Sequence, residues 1–157
     1  MNLKPALILA LASLCASLAL RAAPAQVRAA LSARSTILRG ASARPLFKQC
    51  SRSSPAADGF WNPGARDVAP LEASFTSFWR AQKRPARTPP LARCYRQYAG
   101  FTRGGRRMIY LNALGTCDDL QWKSRAVVVC DGGSSFFGAV YDVASRRWST
   151  LSFNGPG

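Results

Sequence analysis

The tryptophans and tyrosines of this chain are confined to its second part. All four tryptophans and all four tyrosines lie beyond Asp58, and large aromatic side chains supply much of the apolar surface that a core buries. The 99 residues that follow Asp58 are enough for one small hydrophobic core. The sequence therefore predicts a single domain over residues 59–157.

The segment over residues 26–58 has a different composition. It is rich in alanine, arginine, serine and proline, and it offers too little apolar surface to offset the entropy of ordering the chain. Val27, Leu31 and Leu38 are spaced to line one face of a short basic helix, which Gly40 would end. We predict a basic linker that is largely disordered, with one or two helical turns at most.

Residues 1–25 have the order of a secretory signal. A basic start is followed by an uncharged apolar run and then by Ala23-Pro24-Ala25, a small-residue cleavage site. The run is shorter than the roughly 20 residues of a membrane span, its continuity disfavours a transit peptide, and Leu14 before Cys15 disfavours a lipoprotein. We predict a signal peptide and a mature chain that is periplasmic or secreted.

The cysteine count supports export. Loss of the signal removes Cys15 and leaves an even set, Cys50, Cys94, Cys117 and Cys130, which in an oxidising compartment indicates two disulfides with three possible connectivities. We expect Cys117 to pair with Cys130, because they flank one short segment, and Cys50 to pair with Cys94 by elimination. Buried free thiols are the alternative.

The clearest predicted helix covers about Val68 to Lys83. Large apolar residues recur there at helical spacing, at positions 68, 71, 75, 78 and 79. Asp67 is placed to cap the N-terminus, and Pro85 follows the end. The aromatic side of this helix must pack against another element.

The remainder predicts antiparallel strands over residues 91–102, 107–114, 125–131, 136–143 and 147–153. Gly104-Gly105 between two such runs predicts a hairpin turn. One helix followed by a four- or five-stranded meander is an α+β arrangement, with the helix across one face of the sheet. Cystatin-like folds have the same order of elements, which is an analogy of fold alone.

Four stretches of this region carry a resemblance. They are GRRMIYLN at Gly105–Asn112, VCDGG at Val129–Gly133, FFGAVYD at Phe136–Asp142 and FNG at Phe153–Gly155. Together they resemble a group of small exported bacterial proteins of unknown function. The resemblance implies a bacterial envelope or secreted setting, and it implies neither an activity nor any functional residue.

The absence of histidine from the chain limits its chemistry. It excludes Ser-His and Cys-His catalytic arrangements and removes the commonest metal ligand, and the cysteines lack the close pairing of a zinc site. We expect no metal and no cofactor. The best acid pair for a hydrolase is Asp131 with Asp142, although aspartates beside such glycines more often bond the turn backbone. Cys130 beside Asp131 suggests a nucleophile but has no visible base, so a structural disulfide is favoured.

The charge of the chain favours an anionic partner. It has 22 Lys and Arg against 7 Asp and Glu, and such a surface attracts nucleic acid, acidic glycans or anionic lipid headgroups; a GC-rich genome is the alternative origin. Arginines flank the Gly-Gly turn and are placed to bind phosphate or sulfate, and further arginines and tyrosines on the preceding strand extend the patch. The predicted binding residues are Arg93, Tyr95, Arg96, Tyr98, Arg103, Arg106 and Arg107. The alternative is a solvated hairpin tip that keeps a sheet edge soluble.

These observations favour a non-enzymatic exported module that binds a polyanion or an acidic protein partner through this hairpin. A small hydrolase or lyase that uses Asp131 and Asp142 is the second hypothesis. An envelope structural protein is the third.

Overall fold

A computed structural model describes residues 31–85 and 88–156 of the chain. The predicted signal peptide and residues 26–30 of the predicted linker lie outside this part. In the described part no helix is long and apolar enough to cross a membrane. The predicted class, α+β, is confirmed. The elements are β1 Ser35–Ile37, β2 Gly59–Trp61, α1 Ala65–Arg80, β3 Tyr95–Arg103, β4 Arg106–Leu114, β5 Phe136–Asp142 and β6 Arg147–Phe153, with short 3-10 helices at Gly40–Ser42, Arg44–Phe47, Leu91–Arg93 and Gly133–Ser135.

The six strands form one sheet in which β3, β4, β5 and β6 are consecutive antiparallel neighbours. Two short strands pair with the edge of β3 that β4 does not occupy. β1 pairs parallel with its first half, at Arg96 to Tyr98, and β2 pairs antiparallel with its second half, at Gly100 to Thr102. The sheet thus has two faces to cover, and each carries its own hydrophobic cluster.

Helix α1 covers one face of the sheet, which we call the helix face. Val68, Leu71, Phe75 and Trp79 are buried against it. The strand residues that meet them are Tyr98, Ile109, Leu111, Ala113, Phe137, Ala139 and Tyr141. The helix begins and ends three residues earlier than its spacing predicted. Asp67 is not the N-cap but the third helical residue, and its Oδ2 accepts a hydrogen bond from the Gly64 N–H at 2.8 Å.

The opposite face, which we call the loop face, is covered by the segment that was predicted to be a linker. Leu38 and Leu46 are fully buried there. They pack with the strand residues Ala99, Phe101, Met108, Tyr110 and Val140. The prediction of a largely disordered linker is therefore wrong for residues 35–58. The segment has few large apolar residues, but the sheet offers them a second apolar face that local sequence does not reveal.

Residues 125–131 do not form the predicted strand and instead cross the loop face as an irregular segment. Side-chain amides bind its backbone: the Val127 N–H donates to Gln97 Oε1 at 2.9 Å, and the Val127 carbonyl accepts from Asn112 Nδ2 at 2.9 Å. Asn154 Nδ2 donates to the Val129 carbonyl at 2.6 Å. The valines favour a strand, but side chains of the sheet satisfy the backbone groups that a neighbouring strand would otherwise bond.

A buried arginine completes this polar layer. The Arg52 guanidinium donates to Asn112 Oδ1, to Asn154 Oδ1 and, at 3.1 Å, to Tyr110 Oη. Asn112 in turn donates to Gln97 Oε1 at 3.0 Å. We call the four residues of this network the amide layer: Arg52, Gln97, Asn112 and Asn154. Their hydrogen bonds hold two irregular segments and the C-terminal end of the chain against the loop face.

The predicted presence of a disulfide is confirmed, but the predicted pairing is wrong. Cys50 pairs with Cys130, with Cα atoms 5.0 Å apart, and Cys94 and Cys117 are free thiols. Cys50 and Cys130 belong to the two segments that cross the loop face, whereas Cys94 is buried in the cluster under α1. Burial raises the pKa of the Cys94 thiol to about 11, so it stays protonated at neutral pH.

Candidate anion-binding site

Two hairpins lie side by side at one end of the sheet. Gly104 and Gly105, both with positive φ, form the turn between β3 and β4, and Arg146, with a φ of 54°, ends the turn between β5 and β6. Asp142 faces Met108 on one side and Arg147 on the other, so the two turns project together. We call this the arginine end, because the hairpins carry five exposed arginines: Arg103, Arg106, Arg107, Arg146 and Arg147.

Two carboxylates temper the charge of the arginine end. Asp58 Oδ2 accepts from the Gly104 N–H at 2.6 Å, and Asp142 Oδ2 forms an ion pair with Arg106 Nη2. The Gly104 N–H of the turn therefore already binds a carboxylate. Five arginines against two carboxylates leave a local excess of positive charge, which resides on the guanidinium groups rather than on the turn backbone.

Asp142 fixes the shape of the second hairpin. Its Oδ1 accepts from the backbone N–H groups of Ala144 and Ser145, each at 3.0 Å. The Ser145 N–H is the largest cause, with the Arg106 guanidinium contributing, that lowers the pKa of the Asp142 carboxyl below its ordinary value. Asp142 thus organises a turn, which is the role that its neighbouring residues favoured.

Replacement of this carboxylate should have a pH-dependent cost. Because the pKa of Asp142 is lowered by folding, its carboxylate stabilises the protein above the unfolded-state pKa of 3.8 and ceases to do so as the pH falls through the lower, folded-state value. We expect Asp142→Ala to lose about 1–2 kcal/mol of unfolding free energy at neutral pH and the loss to shrink in strong acid. Urea unfolding of the native protein and of the Asp142→Ala variant, from neutral pH to strong acid, measures this loss. A loss that is constant with pH would contradict the assignment.

Two arginines of this end differ in how firmly they are held. Arg107 stacks on the Trp61 indole, 3.6 Å from its ring centroid, and Trp61 Nε1 donates to the Phe101 and Met108 carbonyls at 3.1 Å each. Arg103 has no ion-pair partner in the described part of the chain. The Arg107 guanidinium is therefore held by its stack on Trp61, whereas the Arg103 guanidinium is paired with no carboxylate of the described chain.

The other predicted binding residues do not join this patch. Tyr95 begins β3 and Arg103 ends it, about 26 Å away at about 3.3 Å per residue, and Arg93 precedes the strand. The centroid of the Tyr95 ring lies 5.0 Å from the Arg34 guanidinium carbon and 5.0 Å from the centroid of the Trp122 ring. The prediction of one continuous patch is therefore wrong.

Arg96 and Tyr98 are buried beneath α1 rather than exposed. Arg96 pairs with Glu72 at 3.3 Å and donates to Ser35 Oγ at 3.0 Å, and Tyr98 Oη donates to Glu72 Oε1. Burial, reinforced by Glu72, raises the pKa of Tyr98 well above its ordinary value. Their assignment to a binding surface is wrong, because alternation along β3 did not reveal which set of side chains faces the helix.

The predicted acid pair is also separated. Asp131 precedes β5 and Asp142 ends it, so β5 alone places about 20 Å between them. This excludes the two from acting on one bond and makes the prediction of that pair wrong. Cys130 is in the disulfide and is no nucleophile. Among the described residues, no group of histidine, cysteine or acidic side chains is arranged to hold a metal ion.

A small pocket opens on the loop face next to Arg103. Its volume is about 150 Å³. It is lined by Ser53, Ser54, Pro55, Ala56, Arg103, Tyr110, Gly138, Val140, Thr150 and Ser152. Sequence reasoning missed this pocket, because its walls come from five separate stretches of chain. It also missed the contribution of Arg146 and Arg147, for which the turn sequence beside the last strand was the available signal.

Comparison with protein-family models, with curated proteins and with solved structures found no significant match to this chain.

Proposed function

We propose that this protein is an exported, non-enzymatic module that binds a polyanion through the arginine end. The observation that carries the proposal is the placement of five exposed arginines on two adjacent hairpins, of which only Arg106 forms an ion pair among the described residues. Guanidinium groups that flank one another recognise phosphate, sulfate and carboxylate groups through forked hydrogen bonds. A line of anionic groups along a polymer can engage several of them at once.

The charge of the described chain as a whole supports attraction over a longer range. It holds 18 Lys and Arg and 7 Asp and Glu, so a polyanion is drawn to the protein before it contacts the hairpins. The disulfide fits an oxidising compartment, which agrees with the proposed export. The cystatin-like order of elements stays a prediction of layout.

Binding should depend on where the arginines are and not only on how many there are. We expect the double variant Arg103→Glu/Arg147→Glu to bind heparin about 30-fold more weakly at low salt, since each basic residue near an anionic surface contributes about 1 kcal/mol. These two side chains are exposed, and neither takes part in an ion pair or a ring stack within the described chain. The measurement is binding to labelled heparin at two salt concentrations.

The matched control is Arg80→Glu/Arg93→Glu, which changes the net charge equally. Arg80 ends α1 and Arg93 precedes β3, both far from the two hairpins. We expect the control to reduce binding only about threefold, through the change in net charge. Equal losses in the two double variants would reject the arginine end as the site, and native binding that is absent or insensitive to salt would reject the function.

A further inference from the structure

The floor of the pocket beside Arg103 is built by a tyrosine that lies over a glycine. A Cβ atom at Gly138 would come within 2.3 Å of Tyr110 Oη, so only glycine allows the ring to occupy this position. Tyr110 and Val140, together with Pro55 and Ala56 of the wall, make most of the pocket apolar. Because Tyr110 and Val140 are themselves buried, the apolar surface that a ligand meets is mainly that of Pro55 and Ala56. This surface suits the C–H groups of a ligand rather than a bare ion.

Hydroxyl groups surround this apolar floor. Ser53, Ser54, Thr150 and Ser152 line the pocket. Tyr110 Oη accepts a hydrogen bond from Arg52 Nε at 3.1 Å. Burial raises the pKa of Tyr110, so its hydroxyl stays protonated at neutral pH. The pocket thus combines both donors and acceptors.

The one charged residue of the pocket is Arg103, and no acidic side chain lines it. Unlike Arg106 and Arg107, Arg103 has no ion-pair or stacking partner among the described residues. The pocket is therefore electropositive on the side that opens toward the arginine end. A ligand with an acidic group would place that group against Arg103.

We propose that this pocket binds one acidic sugar unit, a ring carrying hydroxyls and a carboxylate or sulfate group, and that the polyanion is an acidic glycan. The apolar wall of Pro55 and Ala56, the hydroxyl rim and the single cation match the C–H groups, the hydroxyls and the acidic group of such a ring. The volume is below the roughly 300–1,000 Å³ of sites for larger ligands, so it holds a single unit. Nucleic acid is disfavoured, because single-stranded binding uses exposed aromatic faces and Tyr110 is only 2% exposed.

The inference rests on the proposed function, and filling the pocket separates the two. Ala56→Trp places a large side chain at an exposed wall position and leaves every arginine in place. The probes are a heparin hexasaccharide and a single-stranded DNA oligomer of the same net charge, titrated at one ionic strength. We expect the native protein to prefer the hexasaccharide about tenfold, and Ala56→Trp to lose that preference while its affinity for DNA is unchanged.

Two further variants keep the test decisive. Ala73→Trp makes the same change at an exposed position of α1 and should retain the preference. Thr150→Phe fills the pocket from β6 and should abolish it, which covers the case in which Ala56→Trp does not fold. Salt-dependent binding that is equal for both probes, or a preference that survives both filling variants, would overturn the sugar site and leave the proposed function standing. If the native protein bound neither the hexasaccharide nor the DNA, the proposed function itself would be overturned.

Discussion

Asn112→Ala should destabilise the protein by about 3–5 kcal/mol, the cost of breaking a buried charged contact. Asn112 is completely buried. Its Oδ1 accepts from the Arg52 guanidinium, and its Nδ2 donates to Gln97 Oε1 and to the Val127 carbonyl. Truncation leaves a buried cation short of an acceptor and two oxygens, Gln97 Oε1 and the Val127 carbonyl, without this donor.

The magnitude is large for a domain of this size. Total stabilities of about 5–15 kcal/mol are typical, so this one amide accounts for much of the margin. Urea unfolding followed by tryptophan fluorescence measures the loss. The control is Asn62→Ala, because Asn62 is exposed and accepts only one hydrogen bond, from the Gly40 N–H at 3.1 Å. We expect the control to lose less than about 1 kcal/mol, and similar losses at the two asparagines would contradict the structural role of the amide layer.

Loss of the disulfide should cost about as much. The Cys50–Cys130 bond joins residues 80 positions apart, and closing a loop of that length removes enough entropy from the unfolded chain to stabilise the fold by about 4 kcal/mol. We expect the Cys50→Ser/Cys130→Ser variant to show this loss in urea unfolding without reductant. The reduced native protein should match it.

The same experiment has a covalent readout. Trypsin cuts after Lys48 and Arg52, so Cys50 lies on the peptide of residues 49–52 and Cys130 on that of residues 126–146. We expect these two peptides to be linked in the unreduced protein. Cys117→Ser is the matched control, since Cys117 is a free thiol, and it should change neither the linked peptide nor the stability. A linked peptide that contains Cys94 or Cys117 would contradict the pairing.

Predictions from sequence were correct where they depended on interactions within one short segment, and they failed where they depended on contacts between distant segments. The helix was predictable because its apolar residues recur every three or four positions, which is a property of one segment. The hairpin at Gly104 and Gly105 was predictable because positive φ at a turn is a requirement on two residues. The arginines that flank it lie at the tip for the same local reason.

The predictions that failed depend on contacts between distant segments. Alternation along β3 puts Arg96 and Tyr98 on one face of the sheet and their neighbours on the other, but it does not reveal which face the helix covers. The two residues were therefore predicted to be on the surface, although they are buried. Residues 125–131 have strand propensity, yet the amides of Gln97 and Asn112 bind their backbone in place of a strand. Propensity yields to such tertiary contacts.

The sequence by itself determined the α+β class, the one long helix, the first hairpin and the excess of arginine, because these follow from spacing, turn chemistry and composition. Only the tertiary structure decided that Cys50 meets Cys130, that residues 35–58 cover the loop face, and that a second hairpin brings Arg146 and Arg147 beside Arg103. Each of these requires two parts of the chain to meet, and the meeting is decided by which apolar surfaces and buried polar groups satisfy one another in three dimensions.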